Sequence, residues 1–260
     1  MAIRARRDDQ PAILVAALAR VRASGPRPIA VFDLDSTVLD NRPRQAAILR
    51  AYGRAVGLSA VRRARPELFA TWDLARALRA AGLGQAQARR HVGPFRRFWR
   101  ERFFTSRYCR LDVPVPGAPA FVRAIRAAGA RVAYVTGRPA QEMRAGTLRV
   151  LRRFGFPLPD GAEVSLLMKP GVSLLDDAWK AMAREEVEKH GAPVLVLDNE
   201  PAHVNAYARA WPRALVIHLD TDHSDRPVEV DPAIPSVLDL RLPEGLVFSG
   251  AAADARAGGR

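Results

Sequence analysis

Residues 29–37 read Ile-Ala-Val-Phe-Asp-Leu-Asp-Ser-Thr, a β-prone apolar run that ends on two acids separated by one leucine. The run over 29–34 predicts a buried strand, and period-two alternation sends the carboxylates of Asp33 and Asp35 to the same side. Two carboxylates that close raise each other's pKa unless a cation or a division of roles separates them. Phosphoryl transfer offers such a division. One carboxylate attacks phosphorus, while the other protonates the leaving alkoxide and later takes a proton from water. The plainer reading is an acidic turn in which Asp35 and Ser36 cap their own backbone.

Similar apolar runs recur at 131–136, 163–168, 193–197 and 214–219, with amphipathic helical patterns between them. This alternation predicts an α/β fold whose parallel sheet is covered on both faces. In such sheets ligands bind beyond the carboxyl ends of the strands. The residues to weigh are therefore Asp33, Asp35, Thr136, Lys169, Asp198 and the stretch 220–223. The first two runs are about 100 residues apart, whereas a crossover with one helix needs only about 30. Residues 43–110 supply the surplus. Helical patterns begin near Pro43, Pro66 and Gly84 with no convincing strand, and the delayed crossover helix falls at 117–128. The expected organisation is a core of 1–42 and 111–249, a helical cap of 43–110, and a disordered tail from 250.

At 260 residues and 48% apolar, the chain can bury a full core. Its formal charge is +14, but lysine contributes only Lys169, Lys180 and Lys189 among 41 basic residues. The many arginines are spread along the chain rather than gathered in a stripe, so anionic substrates are expected and nucleic acid is the less favoured partner. Cys109 is the single cysteine. It permits no internal disulfide, which points to a cytoplasmic setting. Arg4, Arg6 and Arg7 before an apolar run imitate a signal peptide, but Asp8, Asp9 and Pro11 favour a helix start. No stretch is long and apolar enough to suggest a membrane span, and oligomeric state leaves no pattern.

Three more segments carry chemistry. Val132 to Pro139 puts Thr136 at a strand end, then Gly137 and Arg138, then a helix start. A hydroxyl, backbone N–H groups and a helix N-terminus can together hold a phosphoryl oxygen. An ordinary strand-to-helix turn and an exposed Arg138 are the bland alternatives. Val194 to Pro201 ends a buried-strand pattern on Asp198, followed by Asn199 and Glu200. With Asp33 and the Asp35 carbonyl, Asp198 could complete an oxygen-rich Mg²⁺ site whose waters Asn199 and Glu200 orient. Glu200 could equally serve the first turn of the next helix. The phosphoryl charge then needs a lysine, and Lys180 is preferred over Lys169 because one helix and one strand fit between it and Asp198. Aromatic residues of the insertion, including Trp72, Phe95, Trp99 and Phe103, fit a buried helical seam better than a stacking surface. His203 and His218 read as structural, and His223 could face the site.

Taken together, Asp33-x-Asp35-x-Thr37, then Thr136-Gly137-Arg138, then a lysine, then Asp198-Asn199 resemble the haloacid dehalogenase (HAD) superfamily, over roughly 27–42 and 112–220. The resemblance implies a Rossmann-like three-layer core with a mostly parallel sheet and a helical C1-type cap inserted after the first strand. It also implies Mg-dependent hydrolysis of a phosphomonoester. By it, Asp33 forms an aspartyl-phosphate, Asp35 is the general acid/base, Thr136, Gly137 and the lysine bind phosphate, and Asp33, Asp35 and Asp198 hold Mg²⁺. An acid at Asp35 sets the chain apart from the family's dehalogenases and cation-pumping ATPases, and the lack of any lysine in 43–110 sets it apart from the phosphonate-cleaving branch. Asn199 and Glu200 stand where many members carry a further aspartate. The alternatives are a phosphatase acting on nucleic-acid or nucleotide ends, and a catalytically silent binding protein of the same fold.

Overall fold

The computed structural model describes residues 9–245; the expected disordered tail and the arginines at 4, 6 and 7 fall outside them. Helix α1 (Gln10–Ala23) opens with Pro11 in its first turn, where a missing N–H costs nothing. It leads into β1 (Ile29–Phe32), all four residues of which are buried. The remaining long strands are β4 (Arg131–Pro139), β5 (Val164–Lys169), β6 (Pro193–Asp198) and β7 (Leu215–Leu219). With the short β8 (Ser236–Val237), which the sequence pattern does not announce, they form one sheet in the order β5-β4-β1-β6-β7-β8. Every pairing in it is parallel.

Alternation along each strand divides the core. Ala30, Phe32, Val132, Tyr134, Leu195 and Leu197 pack with α1, α6 (Ala118–Ala127) and α7 (Ala140–Arg153). Ile29, Val31, Ala133, Val135 and Val196 face the other way, onto α8 (Asp176–Glu188) and α9 (Pro201–Ala210). Each fully buried large apolar side chain contributes about 1.5–3 kcal/mol, so slipping any strand by one residue would expose a whole face of core. The successor of β1 lies on one side of it and β6 on the other. Strand order therefore reverses between β1 and β6, which is where a crevice opens at the carboxyl ends.

Between β1 and β4 the chain forms α2 (Arg42–Ala55), two short 3₁₀ turns, α3 (Leu74–Ala80), α4 (Gln85–Phe103) and α5 (Ser106–Cys109). These helices bury an apolar cluster of their own, with Ile48, Leu49, Tyr52, Phe69, Phe95 and Phe103 in it. The segment is joined to the sheet through an antiparallel pair that was not anticipated, β2 (Leu39–Asp40) with β3 (Val113–Pro114). A close backbone approach ties α5 to α7. A Cβ on Gly146 would sit 2.6 Å from the Ser106 Cα and carbonyl oxygen. Among the described residues no helix is long and apolar enough to cross a membrane.

Candidate active site

Strand β1 stops at Phe32, so Asp33 and Asp35 sit in the turn that follows rather than on the strand itself. That turn is tight: the Ser36 N–H donates to Leu39 O at 2.7 Å, and Ser36 takes a left-handed φ of 61°. Such a conformation in a residue other than glycine costs energy and is held by its surroundings. Here the Ser36 hydroxyl donates to Asp222 Oδ2 at 2.7 Å, and the Thr221 hydroxyl donates to Ser36 O. The 220–223 stretch thus clamps the acidic turn from behind.

Lys180, from α8, meets both strand-end acids. Its ammonium donates to Asp33 Oδ1 at 2.5 Å, to Asp198 Oδ2 at 2.9 Å and to Val135 O at 3.1 Å. All three ionisable groups are buried. Burial, with Asp198 and Asp35 nearby, pushes the Asp33 carboxyl up to about 7 against the pull of Lys180. Burial acts on Asp198 too, but Lys180 and His203 hold it below the usual carboxylate range. Asp33 Oδ2 accepts no hydrogen bond from any described residue, so one oxygen of this acid is free to react or to bind a ligand. Lys169, the other lysine considered, pairs instead with Asp176 at 2.5 Å on the cavity wall.

The Asp35 side chain turns away from this group. Arg138 donates to it twice, Nε to Oδ2 and Nη2 to Oδ1, both at 2.7 Å, and Arg44 Nη2 adds a third contact of 2.7 Å to Oδ1. Asn41 donates to Oδ1 at 3.2 Å. Burial works against ionisation, yet Arg138 and then Arg44 hold the Asp35 carboxyl well below its ordinary range. Behind them lies Asp112, which accepts from Arg138 Nη2 at 2.7 Å. Its Oδ1 faces Arg44 Nε at 2.9 Å off hydrogen-bond alignment, and neither atom has another hydrogen-bond partner. Arg44, Arg138 and Asp112 are almost wholly buried. A register shift in β4 between Thr136 and Pro139 accompanies the inward turn of Arg138, as bulges beside sites commonly re-aim a side chain.

A cavity of about 960 Å³ covers the arrangement, with Asp33, Asp35, Gly137, Arg138, Lys180, Asp198 and Asn199 on its lower side and Trp72, Trp99, Phe103 and Phe104 from the helical segment above. Several placements differ from the sequence expectations. Thr136 is fully buried and off the cavity wall, its hydroxyl accepting from the Arg138 N–H at 3.2 Å, because the hydroxyl lies under the turn that Gly137 and Arg138 form. Arg138 is neither exposed nor a surface charge. His223 is absent from the wall: its Nδ1 bonds Ser224 O, while its carbonyl accepts from the Trp72 N–H. His203, read as structural, lines the cavity, lies 3.6 Å from Asp198 through Nδ1 and hydrogen-bonds Asp177 through Nε2. Burial lowers the His203 pKa less than Asp198 and Asp177 raise it. The aromatic seam is both things at once, since Phe95 and Phe103 are buried while Phe103 and Trp99 also face the cavity.

Thr37 and Asn199 join the loops after β1 and β6. The Thr37 hydroxyl donates to Asn199 Oδ1 at 3.2 Å, and Asn199 Nδ2 donates to Asp222 O at 2.6 Å. Glu200 caps α9 in backbone terms, and its carboxylate accepts from Ser224 and Arg226. Arg44 and Asp112 were missed by sequence reading. A fully buried arginine has no periodic signature, and the only available sign was Arg44 standing one turn before Ile48 on the buried face of α2.

For a hard divalent cation, the cavity offers the carboxylates of Asp33 and Asp198. Among the described residues no three acidic, histidine or cysteine side chains group as a metal cage. Two buried carboxylates with a free Asp33 Oδ2 nevertheless suit Mg²⁺, which keeps several waters and is usually held by one or two carboxylates.

A family model described as a hydrolase, haloacid dehalogenase-like, matches residues 28–210. Comparison with curated proteins gives no match. Among solved structures, protein tyrosine kinase A of Mycobacterium tuberculosis shares 18% identity over 82% of this chain and 94% of its own, at a TM-score of 0.49. A haloacid dehalogenase-like family hydrolase of Streptococcus pneumoniae shares 12% identity over 74% and 84%, at 0.43. The class C acid phosphatase of Bacillus anthracis shares 16% over 79% and 73%, at 0.41. Likeness at this level leaves their activities their own.

Proposed function

Because the chain belongs to the haloacid dehalogenase-like hydrolases, we propose that it hydrolyses a phosphomonoester with Asp33 as nucleophile. The observation that carries this reading is Lys180 joining Asp33 and Asp198 on the floor of the cavity, with Asp33 Oδ2 unpartnered. Oδ2 attacks phosphorus, the bond from phosphorus to the leaving oxygen breaks, and an aspartyl-phosphate forms on Asp33. Water then attacks that phosphorus, releasing inorganic phosphate and restoring the carboxylate. Lys180 balances charge through both steps, and the backbone N–H groups around Gly137 bind phosphoryl oxygens at the start of α7.

Asp33, Asp198 and the Asp35 carbonyl are the groups that would hold Mg²⁺, whose contribution when bound is neutralisation of phosphoryl charge. Asp35 is ionised and clamped by Arg138 and Arg44, which hold its proton affinity low, so it must leave at least one arginine before it can take a proton from the water of the second half-reaction. As acid toward the leaving oxygen it must first gain a proton and leave at least one arginine. The helical segment acts as a cap that encloses the leaving group and sets substrate choice.

The test is release of phosphate from a panel of phosphomonoesters, with Mg²⁺ and with chelator. Turnover that chelator removes and that ceases in Asp33→Asn is the expected result. No turnover of any ester by the wild type with Mg²⁺ present overturns the reading.

A further inference from the structure

The cavity above Asp33 is lined by six cationic side chains, and four of them are already committed. Lys180 is paired with Asp33 and Asp198, Arg138 with Asp35 and Asp112, Lys169 with Asp176, and Arg226 with Asp177 and Glu200. The remaining two, Arg96 and Arg100, have no partner among the described residues. Both are exposed and both lie on α4.

Their spacing of four residues puts both guanidiniums on one face of the helix, where like charges disfavour each other. That face is the one turned to the cavity: Trp99 lines it alongside them, while Arg97 does not. Trp72, Leu74, Phe103 and Phe104 supply a largely apolar part of the same lining. Phe103, the last residue of α4, is tied to the floor by Arg44, which donates to its carbonyl and to Asp35, and Arg100 and Arg96 stand about 5 and 10 Å back along the helix from it. A guanidinium presents a planar fork suited to carboxylate and phosphate oxygens.

Resting on the proposed phosphomonoesterase activity, we propose that the substrate's leaving group carries a second anion, a carboxylate or a phosphate, which Arg96 and Arg100 bind from α4. An apolar body of the leaving group spans the aromatic wall between the two anions. Selection therefore acts on binding of the far anion, while bond-breaking stays on the floor.

Four matched esters test this: phenyl phosphate, 4-carbamoylphenyl phosphate, 4-carboxyphenyl phosphate and 1,4-phenylene bisphosphate. The carbamoyl ester keeps the shape of the carboxylate without its charge, and the last two separate carboxylate from phosphate as the second anion. The expected result is a kcat/KM for at least one doubly anionic ester about tenfold or more above that of the carbamoyl ester. The doubled variant R96Q/R100Q should lose about tenfold of that ratio through KM, and Arg97→Gln should keep it. Raised salt should shrink the preference as well, because the arginines are exposed. Hydrolysis of phenyl phosphate with no preference for a second anion, or a preference that survives in R96Q/R100Q, overturns this inference and leaves the phosphatase reading standing. No hydrolysis of any of the four by the wild type overturns both.

Discussion

Arg138 grips Asp35 with two parallel hydrogen bonds of 2.7 Å, although the two residues are 103 positions apart and only Asp35 belongs to the acidic turn. Arg44 and Asp112 complete a buried cluster of two guanidiniums and two carboxylates. Its members come from the β1 turn, α2, the approach to β3, and β4. It therefore fastens the helical segment to the sheet at the edge of the site.

Breaking that cluster should be costly. In Asp112→Asn the two buried arginines face a single carboxylate, and loss of one partner of a buried ionic group costs about 3–5 kcal/mol. A loss of unfolding free energy of that order, read from a lower urea midpoint at unchanged slope, is the expected outcome. A variant as stable as the wild type would show that Asp112 contributes nothing to holding the arginines.

If Asp35, once released from an arginine, serves the water step, Asp35→Asn should leave the first step with a good leaving group and slow the second. Rapid mixing with p-nitrophenyl phosphate should then show a burst of about one p-nitrophenolate per enzyme. Steady turnover should follow at a rate reduced by about 10²–10⁴, the usual contribution of a general base. Wild-type rates, or slow turnover without a burst, would count against this role.

Asp222 links pH to stability. Burial pushes its carboxyl up to about 6 from 3.8, with the Ser36 hydroxyl and Arg42 pulling the other way. A carboxyl raised in the fold binds its proton more tightly there than in the unfolded chain. Its contribution is complete below about pH 4 and is lost as pH rises through about 6. Asp222→Asn should flatten that part of the stability profile and gain relative to wild type above pH 6. Urea midpoints at pH 4.5 and 7.5 measure it, and parallel profiles would refute it.

Gly146→Ala should destabilise by about 1–3 kcal/mol, the range for forcing an added carbon into a packed contact, since the new Cβ meets Ser106 backbone at 2.6 Å. For a chain of this size that is a drop in Tm of several degrees. An unchanged Tm would mean that α5 and α7 can separate freely.

Much of this was legible because strand burial and strand-end acids are local facts. The runs at β1, β4, β5, β6 and β7 were found to within a few residues, and Asp33 and Asp198 follow from where such runs stop. Two-residue strands such as β2, β3 and β8 carry too few side chains to show a period. His203 looked structural because its spacing to other ligands means nothing until α9 lies against β6. Thr136 looked accessible because the two extra residues of β4 between Thr136 and Pro139 cannot be seen as a register shift in a string of letters.

The sequence by itself determined a parallel α/β sheet, a helical insertion after the first strand, and an acid at the end of β1, because apolar period and turn chemistry act over a few residues. Only the tertiary structure decided that Lys180 rather than Lys169 reaches Asp33, and that Asp35 is held by two arginines. It also left Arg96 and Arg100 as the uncommitted cations of the cavity. Those outcomes depend on which side chains meet across distant elements, and long, flexible, charged side chains settle their partners only when packing has fixed what else is near.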